Sequence, residues 1–171
     1  MRCGRSSRRR HSYRFSRISR EGREDSGDDM DRFIGIVLCI YIKNNRILVG
    51  KRRDTGKKNK PYIGFWDVPG GKIEYNDKDI ESAVKREFKE ETGLLIKRCE
   101  PLRYFMFLGA DIPPFLQPAF FFPYRIEEVE GNLRAESDLE ELSFKSVNEL
   151  KKLETTPWLR RILESELPSF G

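Results

Sequence analysis

Histidine is almost missing from this chain. The single one in 171 residues, His11, sits in an N-terminal stretch apart from the patterned segments that follow. The patterned part therefore offers no Ser–His or Cys–His nucleophile pair. It has no imidazole for a transition metal either, so any metal would be held by oxygen, which favours Mg²⁺, Mn²⁺ or Ca²⁺ over zinc. Cysteine is scarce as well: Cys3, Cys39 and Cys99 are odd in number and lack metal-site spacing. That speaks against a disulfide framework and for a reducing, cytoplasmic setting. Nothing reaches the roughly 18 consecutive apolar residues of a membrane span. The longest apolar run, Phe33 to Ile42, has the length and β-branched content of a buried strand.

Excess charge is also absent from the body of the chain. The formal net charge is +5, but residues 1–29 carry nine Arg, no Lys and five acids, leaving +1 for everything after them. A near-neutral body argues against nucleic acid as a partner, except through the Arg-rich tail. Residues 1–29 are too poor in apolar side chains to fold alone. Their first twenty residues contain no acid, as in an organellar targeting peptide, although Tyr13, Phe15 and Ile18 make a poor amphipathic stripe. Met30 offers an alternative start, which would make the tail an artefact. Residues 30–171 read as one domain.

From Asp31 onward the pattern predicts a strand over Phe33–Lys43, a turn at Asn44-Asn45 and a second strand over Arg46–Arg53. A polar loop leads to a short strand, Trp66-Asp67-Val68, stopped by Pro69-Gly70-Gly71. Lys72-Ile73-Glu74 is extended again. Asp79–Thr92 reads as a helix closed by Gly93 in the left-handed conformation. Strands follow at Leu94–Leu108, Ala119–Val129 and Leu142–Val147, then helices at Asn148–Leu153 and Trp158–Leu167. Without regular βαβ alternation, this implies an α/β (α+β) fold of mixed sheet flanked by helices.

The helix carries acids where its own stability would not put them. On a wheel turning about 100° per residue, Ile80, Ala83, Val84 and Phe88 make the apolar face. Glu87 and Glu91 fall in the middle of that face and Glu90 on its border, while Ser82, Lys85 and Lys89 point away. Like charges at i,i+3 and i,i+4 cost about 0.2–0.5 kcal/mol per pair. Acids in a last turn oppose the helix dipole by roughly 0.3–1 kcal/mol each. A bound cation reverses the sign of all these terms. Glu-rich helix ends that fray into water are the plainer alternative.

Gly71 through Leu94 resembles the Nudix box, G-x5-E-x7-R-E-U-x-E-E-x-G-U with U a bulky apolar residue. Arg86, Glu87, Phe88, Lys89, Glu90, Glu91, Thr92, Gly93 and Leu94 fit its second half, and Trp66 to Glu74 look like the strand that leads into it. The first half departs: Asp77 stands where the pattern has Glu, and eight residues rather than seven precede Arg86. Alternatively Lys78 holds that position, with the extra residue before it. The loop has thus gained one residue before the helix, and Asp77 is not assigned a metal. The resemblance implies a mixed sheet sandwiched between helices, from about Asp31 to the C-terminus. It implies Glu87, Glu90 and Glu91 as metal carboxylates, Gly70 as a carbonyl ligand, and Arg86 orienting the acids. Mg²⁺, with Mn²⁺ as substitute, would neutralise the phosphates and activate a water, and Glu90 or a later glutamate would take its proton. Glu136, Glu140 and Glu141 read first as a solvated acidic loop.

The activity so implied is hydrolysis of a phosphoanhydride in a nucleoside diphosphate linked to another moiety, such as ADP-ribose or a nucleotide sugar. Clean-up of oxidised nucleoside triphosphates is the second reading. A non-catalytic module binding nucleotide or RNA is the third. Lys51, Arg52 and Arg53 end the second strand, and alternation lets only Arg52, or the other two, face a site. Arg52 and Lys72 are the substrate-binding candidates. Phe105, Phe107, Phe120, Phe121, Phe122 and Tyr124 read as core before they read as a base-stacking surface.

Overall fold

The computed structural model describes residues 33–56, 60–107, 118–135 and 137–165. The N-terminal tail, Glu136 and the C-terminal residues 166–171 lie outside them. Strand β1 (Ile34–Lys43) turns through Asn44 and Asn45 into β2 (Arg46–Arg52). Both asparagines have positive φ, 51° and 56°, which suits the right-handed twist of a two-residue hairpin, and Lys43 pairs with Arg46 across it. Then come β3 (Trp66–Asp67), β4 (Gly70–Lys72), α1 (Ile80–Thr92), β5 (Leu95–Pro101), β6 (Phe105–Phe107), β7 (Ala119–Glu130), β8 (Leu139–Lys145), α2 (Val147–Leu150) and α3 (Pro157–Ser165).

The eight strands form one mixed sheet around β1. β1 runs parallel to β7 from Ile34↔Ala119 to Tyr41↔Ile126 and antiparallel to β4. β5 and β6 add antiparallel to β7, and β3 and β8 to β2. Consecutive burial from Ile36 to Ile40 shows that β1 is covered on both faces, and its alternation shows how. Ile36, Leu38 and Ile40 pack with Trp158, Leu159 and Ile162 of α3. Val37 and Cys39 pack with Ala83, Val84 and Phe88 of α1. The result is the helix–sheet–helix sandwich expected from the sequence. Phe121 and Phe105 stack in the α3-side core at 5.3 Å. No helix among the described residues is long and apolar enough to cross a membrane.

The differences from the sequence reading have physical causes. β3 does stop before Pro69, but Gly70 and Gly71 are not part of the break; Gly70 opens β4, opposite Leu38. Gly70 has φ 157°, and a Cβ there would lie 2.2 Å from the Val37 carbonyl oxygen, so only glycine lets the backbones approach. The expected strand Leu94–Leu108 is split into β5 and β6, because Pro101 has no N–H to continue a ladder; Leu108 is outside the described residues. β8 begins at Leu139, three residues early. An irregularity between Val49 and Lys51 and a positive φ of 52° at Glu141 break the alternation that would have revealed it.

Candidate active site

α1 starts where Asp79 accepts a hydrogen bond from the Ser82 N–H at 2.7 Å. It ends at Gly93 with φ 71°. These two caps set its ends, and its links to β4, from the Gly70 N–H to Glu91 and from Arg86 to the Lys72 carbonyl, go with the face it turns inward. Glu91 is only 3% exposed, and its Oε2 accepts the Gly70 N–H at 2.8 Å. The Glu87 side chain is 13% exposed and lies against Gly71, where a Cβ would meet its carboxylate at 2.5 Å. Glu90 is half exposed. The helix thus presents a graded set: one acid sunk beside the glycine turn, one at the wall, one at the rim.

Burial pushes the Glu91 carboxyl well above the usual carboxylate range; the Gly70 N–H opposes that, and the charges of Glu87 and Asp67 add to it. Burial raises Glu87 as well, with Arg86 opposing it. Two partly dehydrated acids facing one another are costly in isolation.

Arg86 is held on several sides. Its Nε donates to Asp77 Oδ1 at 2.9 Å and its Nη2 to Asp77 Oδ2 at 2.7 Å. Nη1 donates to Glu87 Oε1 at 2.7 Å, and Nη2 to the Lys72 carbonyl at 3.0 Å. The i,i+4 contact with Glu90 is looser, at 3.6 Å. Asp77 also accepts the Glu74 N–H at 2.7 Å, and its Arg86 partner, foremost, brings its pKa to about 2. The loop with its extra residue therefore still delivers a carboxylate, one methylene shorter than Glu, to the arginine in bidentate geometry. Spacing alone left Asp77 and Lys78 both open for this position; the carboxylate that accepts from Arg86 is that of Asp77.

These side chains line one cavity of about 430 Å³. Gly70, Gly71, Lys72, Glu74, Arg86, Glu87, Glu90 and Glu91 form one side; Arg52, Lys60, Pro61, Ser137, Asp138 and Trp158 also line it, with Ile36, Leu38 and Asp67. Lys72 is exposed. The Arg52 Nη1 donates to Asp67 Oδ2 at 3.0 Å. Lys60, its side chain almost buried, lies 3.3 Å from Asp138 and donates to the Arg53 carbonyl at 2.8 Å. Glu140 and Glu141 stand on β8 outside this cavity, with Glu141 3.7 Å from Lys51; Glu136 lies outside the described residues.

Sequence reasoning missed Lys60, Asp67, Asp138 and Trp158. Only Asp67 left a trace, as a lone acid inside the short strand Trp66-Asp67-Val68. The other three reach the cavity through loop and helix placement that no local pattern encodes.

An oxygen-only donor set suits a hard divalent cation, and the glycine cradle at Gly71, filled by the Glu87 carboxylate, fits that chemistry. Among the described residues no three acidic, His or Cys side chains converge closely enough to hold a metal between them. Arg86 stands between Glu87 and Glu90 in this arrangement.

A model of the NUDIX domain matches residues 32–165. The chain belongs to the NUDIX family. Among curated relatives it is 36% identical over 117 residues to a protein of Methanocaldococcus jannaschii named ADP-ribose pyrophosphatase, covering 67% of this chain and 62% of that one. It is 39% identical over 67 residues to a protein of Buchnera aphidicola named 8-oxo-dGTP diphosphatase, covering 39% of this chain and 48% of that one. The chain thus spans about half to three fifths of these two relatives' lengths. The fold resembles a MutT NUDIX hydrolase from Burkholderia pseudomallei, with TM-score 0.67 and 24% identity, covering 78% of this chain and 98% of that one. The stretch that resembles the Nudix box, Gly71 through Leu94, supplies Glu74, Glu87, Glu90 and Glu91 to the cavity lining.

Proposed function

We propose that this NUDIX chain hydrolyses, with Mg²⁺ or Mn²⁺, the phosphoanhydride bond of a nucleoside diphosphate linked to a second moiety, ADP-ribose and nucleotide sugars foremost. One observation carries the reading. The cavity is lined by six acidic and four basic side chains, and its deepest helix acid, Glu91, is buried. Such a site repels a diphosphate until divalent cations offset the acids. The residues that would hold them are Glu87, Glu90, Glu91 and the Gly70 carbonyl. A bound cation supplies charge neutralisation and water activation.

The chain's own residues do the rest. Arg86, pinned by Asp77, orients Glu87 and limits where Glu90 can swing. Glu90, half exposed and only loosely tied, is free to accept a proton from water. Lys72, exposed, and Arg52, paired with Asp67, both line the cavity and would meet phosphate oxygens as point charge and fork. The name of the archaeal relative supports a nucleoside diphosphate sugar as substrate. The name of the Buchnera relative supports the second reading, an oxidised nucleoside triphosphate. In either case the catalytic end of the cavity is the same.

Phosphate and nucleotide release from a panel holding ADP-ribose, nucleotide sugars and 8-oxo-dGTP, with Mg²⁺ or Mn²⁺, separates these readings. Glu90→Gln is expected to lower kcat about 10²–10⁴-fold, the range for a general base, with nucleotide binding retained. Nucleotide binding without turnover of any panel member would establish a binding module instead.

A further inference from the structure

Asp67 is buried, yet it lies outside the NUDIX motif and belongs to none of the roles assigned above. Its carboxylate gathers donors from four places. The Val68 N–H reaches Oδ1 at 2.9 Å. Thr156 Oγ1 donates to Oδ1 at 3.0 Å. Trp158 Nε1 lies 2.8 Å from Oδ1 and 3.0 Å from Oδ2. Arg52 Nη1 donates to Oδ2 at 3.0 Å. One carboxyl thus ties β3, which leads into the glycine turn, to β2 and to the start of α3.

Arg52 is the partner with donors to spare. A guanidinium has five N–H groups. Those of Arg52 that bond within the protein go to Asp67 and, at 3.3 Å, to the Pro61 carbonyl. Its Cζ lies 5.7 Å from the centre of the Trp158 ring. The side chain is clamped by an acid, a carbonyl and an aromatic face, and it lines the cavity beside Asp67 and Trp158. An ordering network of this kind removes rotamer entropy that a free arginine would lose on binding an anion.

We propose that Asp67 is a positioning residue, which sets Arg52 against the cavity wall so that the guanidinium's remaining donors meet an oxygen of the nucleoside diphosphate. It touches neither substrate nor reacting atoms; it acts through Arg52. The proposal rests on the placing of a nucleoside diphosphate in this cavity. It goes beyond that in saying which buried group makes Arg52 competent. An asparagine at position 67 keeps an acceptor for Thr156 and Trp158. Its amide, however, has no charge for Arg52 and can turn N–H against N–H. Asp67→Asn therefore releases Arg52 selectively.

The test is a double-mutant cycle read by calorimetric binding of ADP in Mg²⁺ and by kcat and KM for ADP-ribose. The proteins are the full-length chain, Arg52→Met, Asp67→Asn and the double variant. Each single change is expected to weaken ADP binding about tenfold, near 1.4 kcal/mol, raising KM while kcat changes little. The double variant should bind no worse than Arg52→Met alone, and the Trp158 indole N–H resonance should persist in Asp67→Asn. Additive losses, or a lowered melting temperature with wild-type ADP affinity, would overturn the proposal, since Asp67 would then act only on the fold. If Asp67→Asn does not fold, Arg52→Lys decides: its ammonium keeps the charge and the ion pair but not the planar fork that lets one group bond Asp67 and an anion oxygen at the same time. Its ADP affinity should fall as in Arg52→Met, and wild-type affinity overturns the proposal. A wild-type chain that binds no ADP overturns it too. Coupled ADP binding with no turnover of the panel would sink the hydrolase reading and leave this one standing. Turnover with uncoupled ADP binding would do the reverse.

Discussion

Gly71→Ala isolates the placing of one carboxylate. The Gly71 backbone lies outside the positive-φ region, so alanine brings no conformational strain of its own. What it brings is a methyl group 2.5 Å from Cδ, Oε1 and Oε2 of Glu87. Contacts that close do not survive, so the carboxylate must retreat by roughly 1 Å, a displacement able to cost about 10²-fold in rate. The retreat is resisted, because Arg86 Nη1 holds Glu87 Oε1 at 2.7 Å and Arg86 is itself forked onto Asp77. Overpacking of this kind costs about 1–3 kcal/mol, or very roughly 2–4 °C of melting temperature per kcal/mol in a domain of this size. Steady-state hydrolysis of ADP-ribose in Mg²⁺, beside thermal unfolding of the same samples, should therefore show a large fall in kcat with a modest fall in Tm. Because Gly71 acts through Glu87, combining Gly71→Ala with Glu87→Gln should do no more damage to kcat than Glu87→Gln alone. Near-wild-type turnover by Gly71→Ala would refute the reasoning, since it would mean that the position of Glu87 against the glycine turn does not matter.

Two further changes probe the charges. Burial raises the Glu91 carboxyl, so the native state binds that proton more tightly than the unfolded chain does. The stability it contributes is complete below the ordinary value of 4.5 and is lost as pH rises through the raised one. In metal-chelating buffer Glu91→Gln should gain about 1–3 kcal/mol at pH 8 and little at pH 4, by thermal melts, and should lose most of the Mg²⁺-induced stabilisation of the wild type. A variant equally destabilised at both pH values would contradict this. Asp77 has the opposite sign: its pKa is lowered from 3.8 to about 2, so its contribution is present above 3.8 and lost as pH falls toward 2. Asp77→Asn should flatten the melting profile over that window and cut kcat about tenfold, roughly 1.4 kcal/mol, by loosening Arg86. A profile as steep as the wild type's would show that the fork contributes nothing.

Much of the architecture was legible because its periods are clean. The apolar run Phe33–Ile42 and the helical spacing of Ala83, Val84 and Phe88 gave β1 and α1. Asp79 and Gly93 gave α1 its ends. The two faces of β1 could not be assigned in advance, since a strand buried on both sides shows no alternation. β8 escaped in part because Glu140 and Glu141 mask a strand whose pairing is irregular. Along α1 the wheel set Glu87 and Glu91 inside the apolar face and Glu90 on its border, and the structure buries the first two and leaves Glu90 half exposed. That Glu91 lies deeper than Glu87 was not legible. The rest of the lining was nearly invisible. Lys60, Asp138 and Trp158 come from three separated segments, and only tertiary packing brings them together.

The acidic helix end becomes intelligible once the glycine turn and α1 are taken as one unit. The Gly70 N–H is spent on Glu91. The space a Gly71 side chain would need is taken by Glu87, and the Lys72 carbonyl accepts from Arg86. Three successive residues of β4 thus each hold one residue of the helix, and the Asp77 fork closes the loop between them. No single contact in this set favours stability strongly, because the group being held is a carboxylate that would be better solvated. Together they keep Glu87 and Glu91 partly dehydrated on the lining of one cavity, with Glu90 half exposed beside them. A fold optimised for stability alone would replace Glu91 with an apolar residue, as it has at Phe88 one turn earlier. Keeping a glutamate there fits the divalent cation proposed for this cavity, whose charge would offset the buried acid.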